Sequence, residues 1–176
     1  MAQEIVTAGL GPMLQKLWSI ESQLVVAMPL MVEKATHLGL RKNLAMHFEE
    51  TRQQKTSIEA MCKQMGIDAK AGEPDQGLQQ ILLEGAQKMQ TASGNDINAV
   101  IADGAQKIEI YEMEVYPPVA QAVKEAGYPG VAQRLLLSYE EERQSLVKLK
   151  FLEKNILEQA NQLGDLKEAS EKIAYQ

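Results

Sequence analysis

Apolar residues recur three or four positions apart over four long stretches of the chain, which is the spacing of amphipathic helices. We place these helices at residues 10–37, at residues 40–66, from Asp96 to Gly127 and at residues 131–161. Gly66 stands where the second helix should end, and glycine readily adopts the left-handed conformation that closes a helix. The pattern therefore predicts four long helices.

The segment between the second and third helices breaks this pattern. It contains the stretch IDAKAGEPDQG, and the helical spacing returns only weakly, over residues 76–91. We interpret the segment as a crossover that carries one short helix. Short connections elsewhere make consecutive helices antiparallel, and a single long connection in the middle is the ferritin-like arrangement. The predicted fold is therefore all-α, a ferritin-like four-helix bundle with one long crossover between helices two and three.

The length of 176 residues fits one domain. We assign residues 1–163 to a single ferritin-like helical bundle domain and residues 164–176 to a polar C-terminal tail. Pro117 and Pro118 should kink the third helix, because proline lacks an amide donor and clashes with the preceding turn.

Composition narrows the functional classes. The net charge of −6, with no local run of Lys or Arg, argues against nucleic acid as a partner. The most apolar stretch, Leu24 to Val32, is far shorter than the ~20 residues of a membrane-spanning helix. The N-terminus shows no basic region before an apolar run, so we expect a cytoplasmic protein. The single cysteine, Cys62, lies among helix-spaced apolar residues, which favours a buried, reduced thiol.

Each apolar stripe also carries polar side chains near its middle, where burial is costly. Helices one and four each place one glutamate there, and helix three places two glutamates one turn apart. Helix two places a histidine and a glutamine on its stripe, with a glutamate one turn from both. In helix order, these candidate site residues are Glu21; His47, Glu50 and Gln54; Glu109 and Glu112; and Glu142.

Carboxylates that meet in a bundle centre repel one another, and each ionised group loses its hydration. A pair of divalent metal ions would neutralise them, because oxygen ligands suit Fe and Mn and bundles use inward-facing glutamates for such sites. The alternative is a set of protonated or hydrogen-bonded glutamates. The candidate partners for that alternative are Tyr111, Tyr116, Tyr139, Arg52 and Arg143. No Glu-x-x-His motif, the usual di-metal signature, occurs in the sequence.

Four segments carry a resemblance to a known family. They are Ile20 to Leu24 (IESQL), His47 to Thr51 (HFEET) with Gln54, Gln106 to Glu109 (QKIE) with Tyr111 and Glu112, and Tyr139 to Glu142 (YEEE). In order and spacing they resemble the bacterial YciE/YciF family over roughly residues 10–155. The resemblance implies a ferritin-like bundle, often dimeric, linked to stress responses, with a proposed metal site and no firmly assigned reaction. The inward carboxylates that it implies are Glu21, Glu50, Glu109, Glu112 and Glu142.

The chain departs from this family pattern at Ile110, where the family often has histidine, and at Leu146, where it often has aspartate. Two hypotheses follow. The first is a di-metal protein that binds Fe or Mn and handles dioxygen or peroxide, with Glu50 and Glu142 as bridging candidates. The second is a non-enzymatic interaction or oligomerisation module with a degenerate metal site. Whether the chain is an enzyme stays open, and the expected assembly is a homodimer rather than an iron-storage cage.

Overall fold

The computed structural model describes the backbone of residues 2–94 and 96–174, and the side chains of residues 9–94 and 96–162. Five α-helices and one short 3-10 helix, Ala69–Ala71, make up this part of the chain, and no strand occurs in it. The α-helices are α1 (Ala2–Lys34), α2 (Leu38–Gln64), α3 (Gln76–Thr91), α4 (Asp96–Glu125) and α5 (Pro129–Ala174). The all-α prediction is confirmed.

The predicted helix boundaries agree with the structure inside the chain and differ at its two ends. The helices α3 and α4 begin at Gln76 and Asp96, where the sequence pattern placed them. In contrast, α1 begins at Ala2 rather than at residue 10, and α5 continues to Ala174 rather than ending at residue 161. The side chains of residues 163–174 lie outside the described set, so the division into a domain and a polar tail stays a prediction.

The turn between α1 and α2 is held by a residue from α4. The Asn98 side-chain oxygen accepts hydrogen bonds from the backbone amides of Thr36 and His37, each at 2.9 Å. His37 in turn caps α2, because its Nδ1 accepts a hydrogen bond from the Leu40 amide at 3.2 Å. These bonds satisfy amides that a helix start leaves without partners, and they fix α1 and α2 as antiparallel neighbours.

The four long helices share one core. Helix α1 packs along α2, helix α4 packs along α5, and contacts of α1 with α4 and of α2 with α5 join the two pairs. Full burial of one large apolar side chain stabilises a fold by roughly 1.5–3 kcal/mol. The largest fully buried side chains are Tyr116, Leu14, Leu17, Ile20, Leu24, Leu40, Leu44, Ile58, Leu78, Ile101, Leu135 and Leu149. Over the described residues, none of the helices combines the length and the apolar character needed to cross a membrane.

Helix α4 continues through Pro117 and Pro118. Each proline removes one backbone hydrogen bond, but the neighbouring Tyr116 and Val119 are almost completely buried and hold the helix in the core. The kink expected at these prolines stays a prediction. Prolines at positions 12 and 29 are likewise accommodated inside α1.

The segment between α2 and α4 is tied to the long helices by Asp75. Its side chain caps α3 by accepting from the Leu78 amide at 2.7 Å, and the same oxygen accepts from the Tyr111 hydroxyl of α4 at 2.7 Å. Its backbone amide donates to the Ser19 hydroxyl of α1 at 2.8 Å. Helix α3 therefore lies against α1 and α4, outside the centre of the core.

Candidate metal centre

Four side chains from three helices meet in the middle of the core. They are His47 on α2, Glu109 and Glu112 on α4 and Glu142 on α5, and one potential ligand atom from each lies within 4.8 Å of the others. All four are buried, with exposed fractions between 0% and 4%. Charged groups at this depth are costly unless they are paired or coordinate a cation.

His47 faces carboxylates on both sides of its ring. Its Nε2 lies 3.0 Å from Glu109 Oε1 and 3.5 Å from Glu142 Oε2, and its Nδ1 lies 3.3 Å from Glu50 Oε2. The Nε2 contact with Glu109 is close but is not aligned as a hydrogen bond. Burial alone would lower the pKa of His47, but the facing carboxylates of Glu109, Glu50 and Glu142 outweigh it and raise that pKa well above its usual value.

Glu21 adds a carboxylate from α1, the one long helix that does not contribute to this group of four. The Tyr116 hydroxyl donates a hydrogen bond to Glu21 Oε1, while Glu21 Oε2 has no hydrogen-bond partner. Burial raises the pKa of Glu21 to about 7, against the opposing effects of the Tyr116 hydrogen bond and the charge of His47. Burial raises the pKa of Glu112 as well, and the carboxylates of Glu142, Glu21 and Glu109 add to this rise.

Two further side chains donate hydrogen bonds to the buried carboxylates. The Gln54 side-chain amide donates to Glu142 Oε1, and at 2.9 Å to Glu141 Oε2. The Ser145 hydroxyl donates to Glu109 Oε1 at 2.8 Å. Ser145 was not among the residues predicted from the sequence. Its position three residues after Glu142, on the same face of the helix, is the signal that points to it.

The centre contains buried polar atoms that have no hydrogen-bond partner. They are Glu21 Oε2, His47 Nε2, Gln54 Oε1, Glu109 Oε2, both oxygens of Glu112, and Glu142 Oε2. Such atoms are rare inside a folded protein, because each one loses its hydration without compensation. A set of carboxylate oxygens with one imidazole nitrogen matches the ligand preferences of Fe and Mn, so the residues present fit the metal that the sequence suggested.

The match to known proteins covers most of the chain. The family model described as Domain of unknown function (DUF892) matches residues 10–162. The chain belongs to this family. The predicted resemblance to the YciE/YciF proteins is confirmed, because YciF is among the solved structures that this DUF892 chain resembles. No curated protein matches the chain in sequence.

Three solved structures share the fold of this DUF892 chain. YcfI from Rhodopseudomonas palustris is 25% identical, with a TM-score of 0.76 over 82% of this chain and 92% of its own. The E. coli stress protein YciF is 22% identical, with a TM-score of 0.75 over 87% and 97% of the two chains. A protein from Xanthomonas campestris pv. campestris is 18% identical, with a TM-score of 0.62 over 92% and 99%.

The structure of this DUF892 chain brings six of the seven predicted site residues together and leaves one at the rim. Glu50 lies on the Nδ1 side of His47, and its side chain is 37% exposed. The other six are buried around the centre: Glu21, His47, Gln54, Glu109, Glu112 and Glu142. Their role as metal ligands, and that of Glu50, stays a prediction.

The two departures from the family pattern differ in their surroundings. Ile110 is 45% exposed, so its side chain does not replace a ligand that faces the centre. Leu146 is buried, next to Ser145 in the sequence. The buried group of His47 with Glu109, Glu112 and Glu142 is formed without a contribution from either position.

Proposed function

We propose that this chain is a ferritin-like four-helix bundle, with α3 in its crossover, that holds a pair of Fe or Mn ions in its core. The observation that carries the proposal is the group of unpartnered carboxylate oxygens beside His47, all of them buried. When these groups are ionised and no cation is bound, they repel one another in a medium that screens them poorly. A pair of divalent metal ions would remove the repulsion and give the unpartnered oxygens a ligand role.

Some of these residues would bind the metal ions directly, and Glu50 would orient one of the ligands. His47, Glu109, Glu112 and Glu142 form the first ligand group, and Glu21 adds a carboxylate from α1. Glu50 accepts from His47 Nδ1 and so orients Nε2 towards the carboxylates, as carboxylate–histidine pairs do in other metal sites. The closely packed helices bury these side chains away from bulk solvent. When bound, Fe or Mn supplies Lewis acidity and redox chemistry towards dioxygen or peroxide.

The cellular role that we propose is a bacterial, cytoplasmic protein of the stress response, which acts as a homodimer. The support is the fold shared with YciF, which is described as a stress protein. Size-exclusion chromatography with light scattering should give the mass of two chains. A large shell would support iron storage instead.

The competing hypothesis, a non-enzymatic module with a degenerate site, is not the one the geometry favours. It rested on Ile110 and Leu146, but Ile110 is 45% exposed and cannot have left a gap in the centre. The buried charges also speak against a decayed site. A centre that no longer binds metal gains stability when its carboxylates are replaced by apolar residues, and four glutamates are still present.

Metal analysis of the purified protein tests the proposal. The protein is expressed without chelator in medium that contains Fe and Mn, and bound metal is measured by mass spectrometry. We expect two ions per chain in the wild type and a loss of metal in Glu142→Gln. The matched control is Glu140→Gln, two residues away on α5, where the carboxylate pairs with Arg143 at the surface. A folded wild type that takes up neither metal would refute the proposal.

A further inference from the structure

In three buried glutamates of the centre, one carboxylate oxygen accepts a hydrogen bond and the other does not. Tyr116 donates to Glu21 Oε1, Gln54 donates to Glu142 Oε1 and Ser145 donates to Glu109 Oε1. In each glutamate the other oxygen, Oε2, is buried and has no hydrogen-bond partner. The three donors come from three different helices and from three different residue types.

Glu112 differs from the other three glutamates. Both of its oxygens are buried and neither has a hydrogen-bond donor. Its side chain is 1% exposed, so bulk solvent does not reach it. Glu112 is therefore the one described carboxylate of the centre with two free oxygens.

We propose that Tyr116, Gln54 and Ser145 are positioning residues that restrict three glutamates to one metal-binding oxygen each, and that Glu112 binds with both oxygens and bridges the ions. This inference rests on the proposed metal centre. It assigns a role to two residues outside the predicted site, Tyr116 and Ser145, and moves the bridging role from Glu50 and Glu142 to Glu112.

The physical reason is that a carboxylate can bind a metal through one oxygen or through both. A donor that holds one oxygen fixes the rotation of the carboxylate and favours metal binding through the other oxygen. Partners of this kind raise metal affinity because the ligand no longer has to be ordered when the ion arrives. Glu112 lacks a donor, so both oxygens stay available to two ions.

The position of Ser145 offers a matched control within α5. Ser138 lies seven residues earlier on the same face, and both serines are 3% exposed. Among the described residues, Ser138 donates no hydrogen bond to a carboxylate of the centre, whereas Ser145 does. Replacing either serine with alanine removes one buried hydroxyl from the same helix. Only the replacement at position 145 removes a bond to a ligand.

Affinity and a spectroscopic signature together test the inference. Metal is stripped from the folded protein, and Co²⁺ is titrated back against a competing chelator while the visible absorption of the bound ion, which depends on its ligands, is recorded. The variants are Ser145→Ala, Ser145→Thr, Tyr116→Phe and Glu112→Gln. The controls are Ser138→Ala and Tyr139→Phe, since Tyr139 packs against the core and, among the described residues, donates no hydrogen bond to a buried carboxylate.

We expect Ser145→Ala and Tyr116→Phe to bind the wild-type number of ions with roughly 10- to 100-fold weaker affinity and an altered Co²⁺ spectrum. Ser145→Thr, which keeps the hydroxyl, should restore both readouts, and the two controls should match the wild type. Glu112→Gln should bind fewer ions per chain. Circular dichroism shows whether each variant is folded. If Tyr116→Phe fails to fold, the comparison of Ser145→Ala with Ser145→Thr still tests the inference.

Three outcomes overturn the inference in distinguishable ways. If the wild type binds metal but Ser145→Ala keeps its affinity and spectrum, the positioning role is wrong and the metal centre stands. Equal ion numbers in Glu112→Gln and the wild type would likewise remove the bridging role alone. If the folded wild type binds no Co²⁺, Fe or Mn, both the centre and the positioning residues are rejected.

Discussion

Asn98 at the start of α4 binds Thr36 in the turn between α1 and α2 at two points. Its side-chain oxygen accepts from the Thr36 backbone amide at 2.9 Å, and its side-chain nitrogen donates to the Thr36 hydroxyl at 2.8 Å. One buried asparagine therefore joins three helices. Its loss would leave buried polar groups of the turn without partners, which costs more than an ordinary surface substitution.

We expect Asn98→Ala to lower the free energy of unfolding by about 1–3 kcal/mol, the penalty for leaving buried amides unsatisfied. Urea denaturation followed by circular dichroism measures the change. Asn43→Ala is the control, since the Asn43 side-chain nitrogen has no hydrogen-bond partner to lose. An equal loss in both variants would mean that the turn is held by something other than Asn98.

Metal should stabilise the fold. At a free concentration of about 100 times its dissociation constant, each bound Fe or Mn ion adds about 2.7 kcal/mol to the free energy of unfolding. For a chain of this size each ion therefore raises Tm by about 5–10 °C. Differential scanning calorimetry with and without EDTA checks the shift. Glu142→Gln should abolish the shift, while Glu140→Gln should keep it.

Two helical glycines should respond to alanine in opposite directions. Gly104 in α4 borders an apolar cavity of about 130 Å³, and an added Cβ would meet no other atom within 4 Å. We expect Gly104→Ala to stabilise the protein by roughly 0.5–1 kcal/mol through the gain in helix propensity. Gly77→Ala in α3 would place its Cβ against the Tyr111 hydroxyl, which is bound to Asp75, and should destabilise the protein. Thermal melts of the two variants show whether each substitution raises or lowers Tm.

Cys62 should react slowly in the native protein. Burial raises the pKa of its thiol to about 11, so the reactive thiolate is scarce at neutral pH. At pH 8 we expect alkylation to run at least about 100-fold slower than for a free thiol, and to speed up as pH rises towards 11. Mass spectrometry after timed labelling measures the rate. Fast labelling at pH 8 without urea would contradict the burial of this side chain.

The sequence pattern predicted the inner helices better than the ends of the chain. Gln76 and Asp96 begin α3 and α4 as expected because turn residues precede both helices. The start of α1 was missed because Pro12 and nearby glycines weaken the pattern there, yet α1 continues back to Ala2. Helix propensity is a weak guide where packing determines the structure. Pro117 and Pro118, which disfavour helix, likewise lie inside α4.

The location of the centre could be predicted, but not its internal order. A glutamate on an apolar stripe is visible in a sequence, since burial of a charge needs a compensating partner. Which oxygen of Glu109 or Glu142 receives a hydrogen bond depends on donors from other helices, and a single sequence does not show that pairing. Glu50 illustrates the limit, because it lies one turn from His47 in α2 but faces Nδ1 at the rim.

The arrangement of the centre also sets how fast a bound ion could leave. Side chains from α1, α2, α4 and α5 surround it, so no two neighbouring helices hold a complete ligand set. Fraying of a helix end or of α3 would leave the ligands in place. Release of a bound ion should therefore need a partial opening, in which one long helix moves away from the other three, so we expect the ion to exchange slowly with a chelator while the protein stays folded.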